Sequence, residues 1–308
     1  VRIGLDVGGT KIEAIALDEG GRELVRRRVA TPREDYAKTL EAMAELVTGI
    51  ERELGRRGSV GIGIPGAISP ATGLVKNANS TWLIGQRLSG DLERLLERPL
   101  RFANDANCFA LSEATDGAGR GARTVFGVII GTGTGGGVVV DGQVLTGKNA
   151  VAGEWGHSPL PWPSPEEWPG PACYCGKTGC IETFLSGPGL ARDYASRTGR
   201  ELASNEIAFR AADDAEAAAA LERYADRMAR GLATIINLLD PDVIVLGGGM
   251  SQLEHLYDRV PRLWGRYVFS DRVDTHLRPP VHGDSSGVRG AAWLWPPAQR
   301  DRASSSSA

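Results

Sequence analysis

The feature that most constrains this chain is a hairpin that occurs twice. IGLDVGGTKIEAIALDEGG and GVIIGTGTGGGVVVDGQ share one plan: an apolar strand, a glycine turn containing Gly-Thr, a second apolar strand, then Asp and Gly. Gly9-Thr10 aligns with Gly133-Thr134, 124 positions further on. Two copies of one strand–turn–strand unit predict two similarly built lobes, each organised on a sheet. The 41 glycines among 308 residues fall in short runs and not at every third position. That excludes a collagen-like chain and points to tight turns with work to do.

Composition narrows the partners. The 35 basic and 38 acidic side chains leave a net charge of −3, which argues against non-specific nucleic-acid binding. No apolar run reaches the ~18 residues of a membrane span, so no membrane partner is expected. The opening VRIGLDVGGT already reads as strand, so no export signal is expected ahead of it. Three of the four cysteines (Cys108, Cys173, Cys175, Cys180) crowd into CYCGKTGC, a metal-like spacing and not a disulfide framework. A reducing, cytoplasmic setting follows.

Along the chain, RIGLDV, KIEAIAL and RELVRRRVA read as strands joined by glycine turns. Apolar spacing predicts a helix over Glu34–Leu54, stopped by Gly55. SVGIGIP reads as a buried strand, Asp91–Glu97 as a helix, LRFAN as a strand, and Asp105–Glu113 as a helix starting at that strand's end. TVFGVII and GGVVVDGQVL are strands again; 161–181 is expected to be irregular; helix dominates 183–239. DVIVLGGG is strand then turn, Gln252–Tyr267 a helix interrupted at Pro261, and SSGVRGAAWLW a last helix. The expected division is 1–120 as a smaller N-terminal α/β lobe, onto which the last helix packs back, 121–296 as a larger α/β lobe with a zinc-binding loop, and 297–308 as a disordered tail.

A glycine hairpin at a strand end exposes backbone N–H groups that can cradle phosphate oxygens. DVGGTK (Asp6–Lys11) adds the Thr10 hydroxyl and an acid, Asp6, placed to hold the waters of Mg²⁺. GTGTGG (Gly131–Gly136) also fits the dinucleotide fingerprint G-x-G-x-x-G, but that fingerprint needs a helix next, and β-branched GGVVV follows instead. GQVLTGKN resembles a phosphate-binding P-loop but has Asn149 where Ser or Thr would bind Mg²⁺, and reads as coincidence. Gly247–Gly249 form a third glycine turn, able to pass close to a nucleobase or ribose. Asn104 and Asp105 lie where a strand meets a helix; Asp105 is either a plain helix cap or a general base for phosphoryl transfer to an alcohol. His157 with Cys173, Cys175 and Cys180 supplies one imidazole and three thiolates, the ligand set of a closed structural zinc site, flanked by Glu154 and Glu182.

Taken together, GLDVGGTK, GIGIPGAISPATGLVKNANSTWL, ANDANC, GTGTGGG, AGEWGH, CYCGKTGCIE, DPDVIVLGGG and HGDSSGVRGAAWLW resemble the ROK group of sugar kinases, and within it the bacterial fructokinase or manno(fructo)kinase type. The resemblance covers Arg2 to about Pro296. It implies the two-lobed actin/hexokinase-type, ribonuclease H-like α/β fold with a duplicated core. It further implies Asp105 as catalytic base, and Asn104, Glu154, His157 and Glu182, with Gly66 and Asn79, as sugar contacts. His157, Cys173, Cys175 and Cys180 become zinc ligands, His157 serving the metal with one ring nitrogen and the sugar with the other. Gly8, Gly9, Thr10 and Lys11, and Gly131, Thr132, Gly133, Thr134 and Gly135, become the two phosphate loops. Asp6 then stands near Mg²⁺, and Gly247 and Gly248 at the adenosine. NANSTW departs from the NLPGW-like segment of commoner ROK glucokinases, which points to Asn77, Asn79 and Thr81 in sugar choice.

The implied reaction is transfer of the ATP γ-phosphoryl group to the 6-hydroxyl of fructose, with mannose as a second acceptor. Closure of two lobes over the sugar would exclude water. The alternatives are a ROK glucokinase or N-acetylhexosamine kinase, a non-catalytic sugar sensor, and a sugar-responsive repressor. The last needs a DNA-binding helix pair ahead of the first phosphate loop, which is not expected with Asp6 so near the start. A homodimer is an expectation from the resemblance alone.

Overall fold

The structure is a computed structural model that describes residues 1–78 and 80–296. Asn79 and the tail 297–308 lie outside the described residues, so the expectations placed on them are not taken further. The chain divides into two compact units: Val1–Cys108 with the segment from Gly287 on, and Phe109–Ser286. The first crossing falls inside a helix, earlier in the chain than position 120.

In the first unit, β1 (Arg2–Val7), β2 (Lys11–Leu17) and β3 (Glu23–Ala30) form an antiparallel meander. Helix α1 (Tyr36–Leu54) returns the chain to β4 (Ser59–Ile64), parallel to β1. A small hairpin, β5 (Ala67–Ile68) and β6 (Val75–Lys76), and α2 (Leu88–Leu96) lead to β7 (Arg101–Asn104), parallel to β4. Helix α3 (Asp105–Thr115) follows at once. The sheet order is β3-β2-β1-β4-β7.

Local chemistry accounts for these elements. The Asp35 carboxylate accepts the Lys38 N–H at the start of α1, and Gly55 ends it at φ 64°. Met43, Val47 and Ile50 recur at helical spacing and are fully buried with Ile3, Leu5 and Ile62 of the sheet.

In the second unit, β8 (Thr124–Ile130), β9 (Thr134–Val140) and β10 (Gln143–Val144) form the antiparallel meander. Helices α4 (Ile181–Leu185), α5 (Gly187–Thr198), α6 (Ser204–Arg210) and α7 (Ala215–Leu239) precede β11 (Val243–Gly247), parallel to β8. After α8 (His255–Trp264), β12 (His276–Arg278) pairs parallel with β11. Its sheet order, β10-β9-β8-β11-β12, repeats the plan of the first. The hairpin repeat in the sequence is therefore the visible part of a duplicated core.

The last helix, α9 (Ser286–Trp293), lies against the first unit's sheet. Two strand glycines make room for it. A Cβ on Gly4 would stand 2.2 Å from the Val288 carbonyl oxygen, and one on Gly61 1.9 Å from that of Ala291.

Some elements differ from the sequence reading. Helix α2 begins at Leu88 and not at Asp91, because Leu88, Leu92 and Leu96 supply its buried stripe. Helix α8 is shorter than Gln252–Tyr267 and contains Pro261; a 3₁₀ turn, Gly249–Gln252, precedes it. No helix among the described residues is long and apolar enough to cross a membrane.

Candidate active site

In the first unit, parallel register brings acids together. Asp6 of β1 sits beside Gly63 of β4, and Gly63 beside Ala103 of β7, one residue before Asn104. No side chain intervenes at Gly63. Asp105 opens α3, where its Oδ1 and that of Asn104 both accept the Ala106 N–H at 2.8 Å. The capping role is thus real, and Asn104 shares it. Burial first, then the negative charges of Asp105 and Glu13, raise Asp6 to about 6, against the pull of Lys11. Cys108, one turn into α3, is fully buried, and that burial holds its thiol well above its usual value.

The first glycine turn is braced from behind. The Thr31 hydroxyl donates to the Gly8 carbonyl (2.7 Å), Arg33 Nε to that of Gly9 (2.9 Å), and the Thr31 N–H to that of Thr10 (3.0 Å). Engaged carbonyls suit a turn that offers N–H groups to an anion. Lys11 Nζ lies 3.4 Å from buried Glu13, which also accepts from Arg26 and Arg28. Ser80 carries no signal of its own in the sequence. Its buried hydroxyl has no partner among the described residues and stands 3.7 Å from where a Gly9 Cβ would be. Gly66 is buried by close packing, with the Lys76 carbonyl 2.7 Å from its would-be Cβ. Asn77, in the same segment, adopts φ 55°.

In the second unit, the turn Gly131–Gly133 closes through Gly131 N–H to the Gly133 carbonyl (2.9 Å), and strand β9 follows. A strand there, where a dinucleotide fold needs a helix, agrees with setting that fold aside. Glu182, second residue of α4, accepts the Thr134 N–H through Oε2 at 2.9 Å. A Cβ on Gly133 would meet that same oxygen at 2.6 Å, so any side chain there would have to shift the Glu182 carboxylate. The Thr134 hydroxyl is buried without a partner among the described residues.

AGEWGH is fastened to β9. Trp155 donates its indole N–H to the Gly135 carbonyl (3.0 Å) and packs edge-on against Phe126. Gly156 lies so close that a Cβ would be 2.0 Å from the Thr134 carbonyl oxygen. Glu154 and His157, on either side, are thereby held near the second turn.

The metal-like set assembles as expected. His157, Cys173, Cys175 and Cys180 place their ligand atoms within 4.8 Å of one another. His157 Nδ1 is 3.6 Å from Cys173 Sγ, and Cys175 and Cys180 are 3.6 Å apart. A tetrahedral site with metal–sulfur bonds of ~2.3 Å has edges of about 3.8 Å, so the cluster fits one ion of that kind. The Lys177 backbone N–H lowers Cys175, while burial, then Cys175, raise Cys180 to about 12.

A cavity of about 390 Å³ adjoins the second turn, lined by Gly131, Thr132, Gly187, Pro188, Ser204 and Gly249 among others. Gly247 and Gly248 are not among its lining. Their Cβ atoms would strike the Phe109 ring (2.5 Å) and the Ile130 carbonyl (2.4 Å). Both positions therefore need glycine, and Gly249 is the turn residue that lines the cavity. Gly187, Pro188 and Ser204 carried no motif in the sequence; only the fold gathers them.

Residues 2–298 match the model of the ROK family. The chain is a ROK-family sugar kinase. It is 41% identical over 296 residues to an N-acetyl-D-glucosamine kinase of Yersinia pseudotuberculosis, spanning 94% of this chain and 97% of that one. Among solved structures, the ROK hexokinase of Thermus thermophilus superposes with a TM-score of 0.84 at 34% identity, covering 95% of this chain and 97% of the other. A ROK glucokinase of Streptomyces griseus, solved with glucose and AMPPNP, gives 0.75 at 30%, covering 95% and 98%. None of these relatives is named a fructokinase, so the fructose reading is not borne out; the Yersinia relative matches the N-acetylhexosamine alternative and the Streptomyces one the glucokinase alternative. The reason is chemical. The groups that transfer phosphate to a primary alcohol can be common to all hexose acceptors, so motifs built from them do not tell one sugar from another.

The high value of Asp6 has a consequence for stability. An unfolded aspartate titrates near 3.9, so between about pH 4 and 6 the folded protein holds a proton that the unfolded chain has lost. Stability falls as pH rises through that window, by up to ~3 kcal/mol above it. Asp6→Asn is expected to raise the melting temperature at pH 7.5 by about 2–6 °C and to leave it unchanged near pH 4. Thermal unfolding at both pH values tests this; an equal gain at both would show that ionisation of Asp6 is not the cause.

Proposed function

We propose that this protein transfers the γ-phosphoryl group of ATP to the 6-hydroxyl of N-acetyl-D-glucosamine. The observation that carries the acceptor is the likeness to an N-acetyl-D-glucosamine kinase over nearly the full length of both chains. The chemistry rests on Asp105, the strand-end carboxylate beside Asp6.

The acceptor oxygen attacks phosphorus as Asp105 takes its proton, and the bond from phosphorus to the bridging oxygen of ADP breaks. The turn N–H groups of Gly9, Thr10, Thr132 and Gly133 bind the phosphates, those of Gly8, Gly131 and Thr134 being engaged within the chain, and the hydroxyls of Ser80 and Thr134, without partners among the described residues, suit the same task. Asp6 would hold water on Mg²⁺, which supplies positive charge to the phosphates. Glu154, His157 and Glu182 bind sugar hydroxyls, with Asn104 beside the base. The 390 Å³ cavity takes the nucleoside. His157, Cys173, Cys175 and Cys180 would hold Zn²⁺, whose part is structural because four protein ligands leave it no open position. Its effect on the protein is to fix the segment between His157 and Glu182.

A coupled ADP-release assay across N-acetylglucosamine, N-acetylmannosamine, glucose, mannose and fructose tests the acceptor. We expect kcat/KM for N-acetylglucosamine to exceed that for fructose at least tenfold. Fructose at the head of the series would restore the fructokinase reading.

A further inference from the structure

We infer that Tyr174 tunes acceptor affinity, its hydroxyl occupying the one ring nitrogen of His157 that a sugar could use. This rests on the acceptor site proposed above. His157 Nδ1 faces the sulfur cluster, 3.6 Å from Cys173. Only Nε2 remains, and the Tyr174 hydroxyl sits 3.0 Å from it. The two rings also meet edge-on, with centroids 5.2 Å apart at 87°. The dual use of His157 expected from the sequence therefore meets a competitor from within the chain.

Tyr174 is built to be displaced. Its backbone is held between Cys173 and Cys175, two members of the metal-like cluster. Its side chain is 79% exposed. Rotation about its side-chain bonds can free Nε2 while the cluster stays in place. The setting is that of the acceptor. Glu182 and Glu154 are among the charged groups that bear on the Tyr174 phenol. Both are proposed sugar ligands, so the phenol stands among the groups a sugar must reach. An incoming sugar hydroxyl replaces the phenol oxygen at Nε2, and the sugar's affinity is reduced by whatever that internal contact contributes.

Tyr174→Phe removes the hydroxyl and keeps the ring. Titration calorimetry with N-acetylglucosamine is expected to give a Kd about 3- to 10-fold lower than wild type, the size of one net hydrogen bond. KM for the sugar should fall in step, KM for ATP should stay within about twofold, and bound metal by elemental analysis should be unchanged. An equal or higher sugar Kd in Tyr174→Phe, with metal content retained, overturns the inference. Glu154→Gln run in parallel separates two failures. If it leaves sugar binding untouched, the acceptor site itself is wrongly assigned. If it weakens binding while Tyr174→Phe does nothing, only the role given to Tyr174 is lost.

Discussion

Asp105→Asn is expected to lower kcat by about 10²- to 10⁴-fold, the range for removing a general base. The substitution is a clean one. Asparagine keeps an oxygen to accept the Ala106 N–H, and Asn104 accepts the same N–H at 2.8 Å, so the start of α3 should survive. KM for both substrates should change little, because the lost interaction belongs to the transition state. A second effect distinguishes proton transfer from damage. One of the charges that raise Asp6 is removed, so the Asp6 titration should move down from about 6. Steady-state kinetics with stability measured against pH would register both. Full activity in Asp105→Asn would leave this carboxylate as a helix cap and nothing more.

The second large effect concerns the cysteine cluster. Protein purified without added metal is expected to contain one zinc per chain by elemental analysis. Cys180→Ser, or prolonged chelation, should lower kcat/KM for the sugar by about 10- to 100-fold, the cost typical of disturbing the surroundings of a bound metal. The melting temperature should fall with it. Cys180 immediately precedes α4, and Glu182 in that helix holds the Thr134 N–H. Disorder in the metal loop therefore reaches the second glycine turn, and KM for ATP should rise as well, by a smaller factor. Activity indifferent to chelation, in protein shown to have lost its zinc, would leave the cluster without a functional part.

Much of this is legible in the amino-acid sequence. The twin hairpins predicted twin sheets because glycine turns between apolar runs have few other uses. The spacing of His157, Cys173, Cys175 and Cys180 announced a cluster because so many soft ligands seldom crowd together for another reason. What stayed hidden depends on approach in three dimensions. The sequence does not tell that Gly247 and Gly248 also make room for Phe109 and the end of β8. Ser80 lies inside NANSTW, yet nothing local marks its hydroxyl as one that ends without a partner among the described residues, and Ser204 carries no motif at all. Tyr174 was masked by the cysteines on either side of it. Strand β12 has three residues, followed by two prolines, too few to carry a period. The choice of sugar is not legible in the sequence because the recognisable motifs belong to the reaction and not to the acceptor.

The duplicated sheets also differ at two matching places. The alignment that pairs Gly9 with Gly133 sets Asp6 against Ile130, which is fully buried. The strand topology sets Asp105, the residue after β7, against Pro279, the residue after β12. One repeat carries both acids; its twin has a hydrocarbon and an imino acid instead. With Asp105 as the proposed base, proton transfer would be the work of one repeat alone, while its twin keeps the glycine turn and contributes to binding.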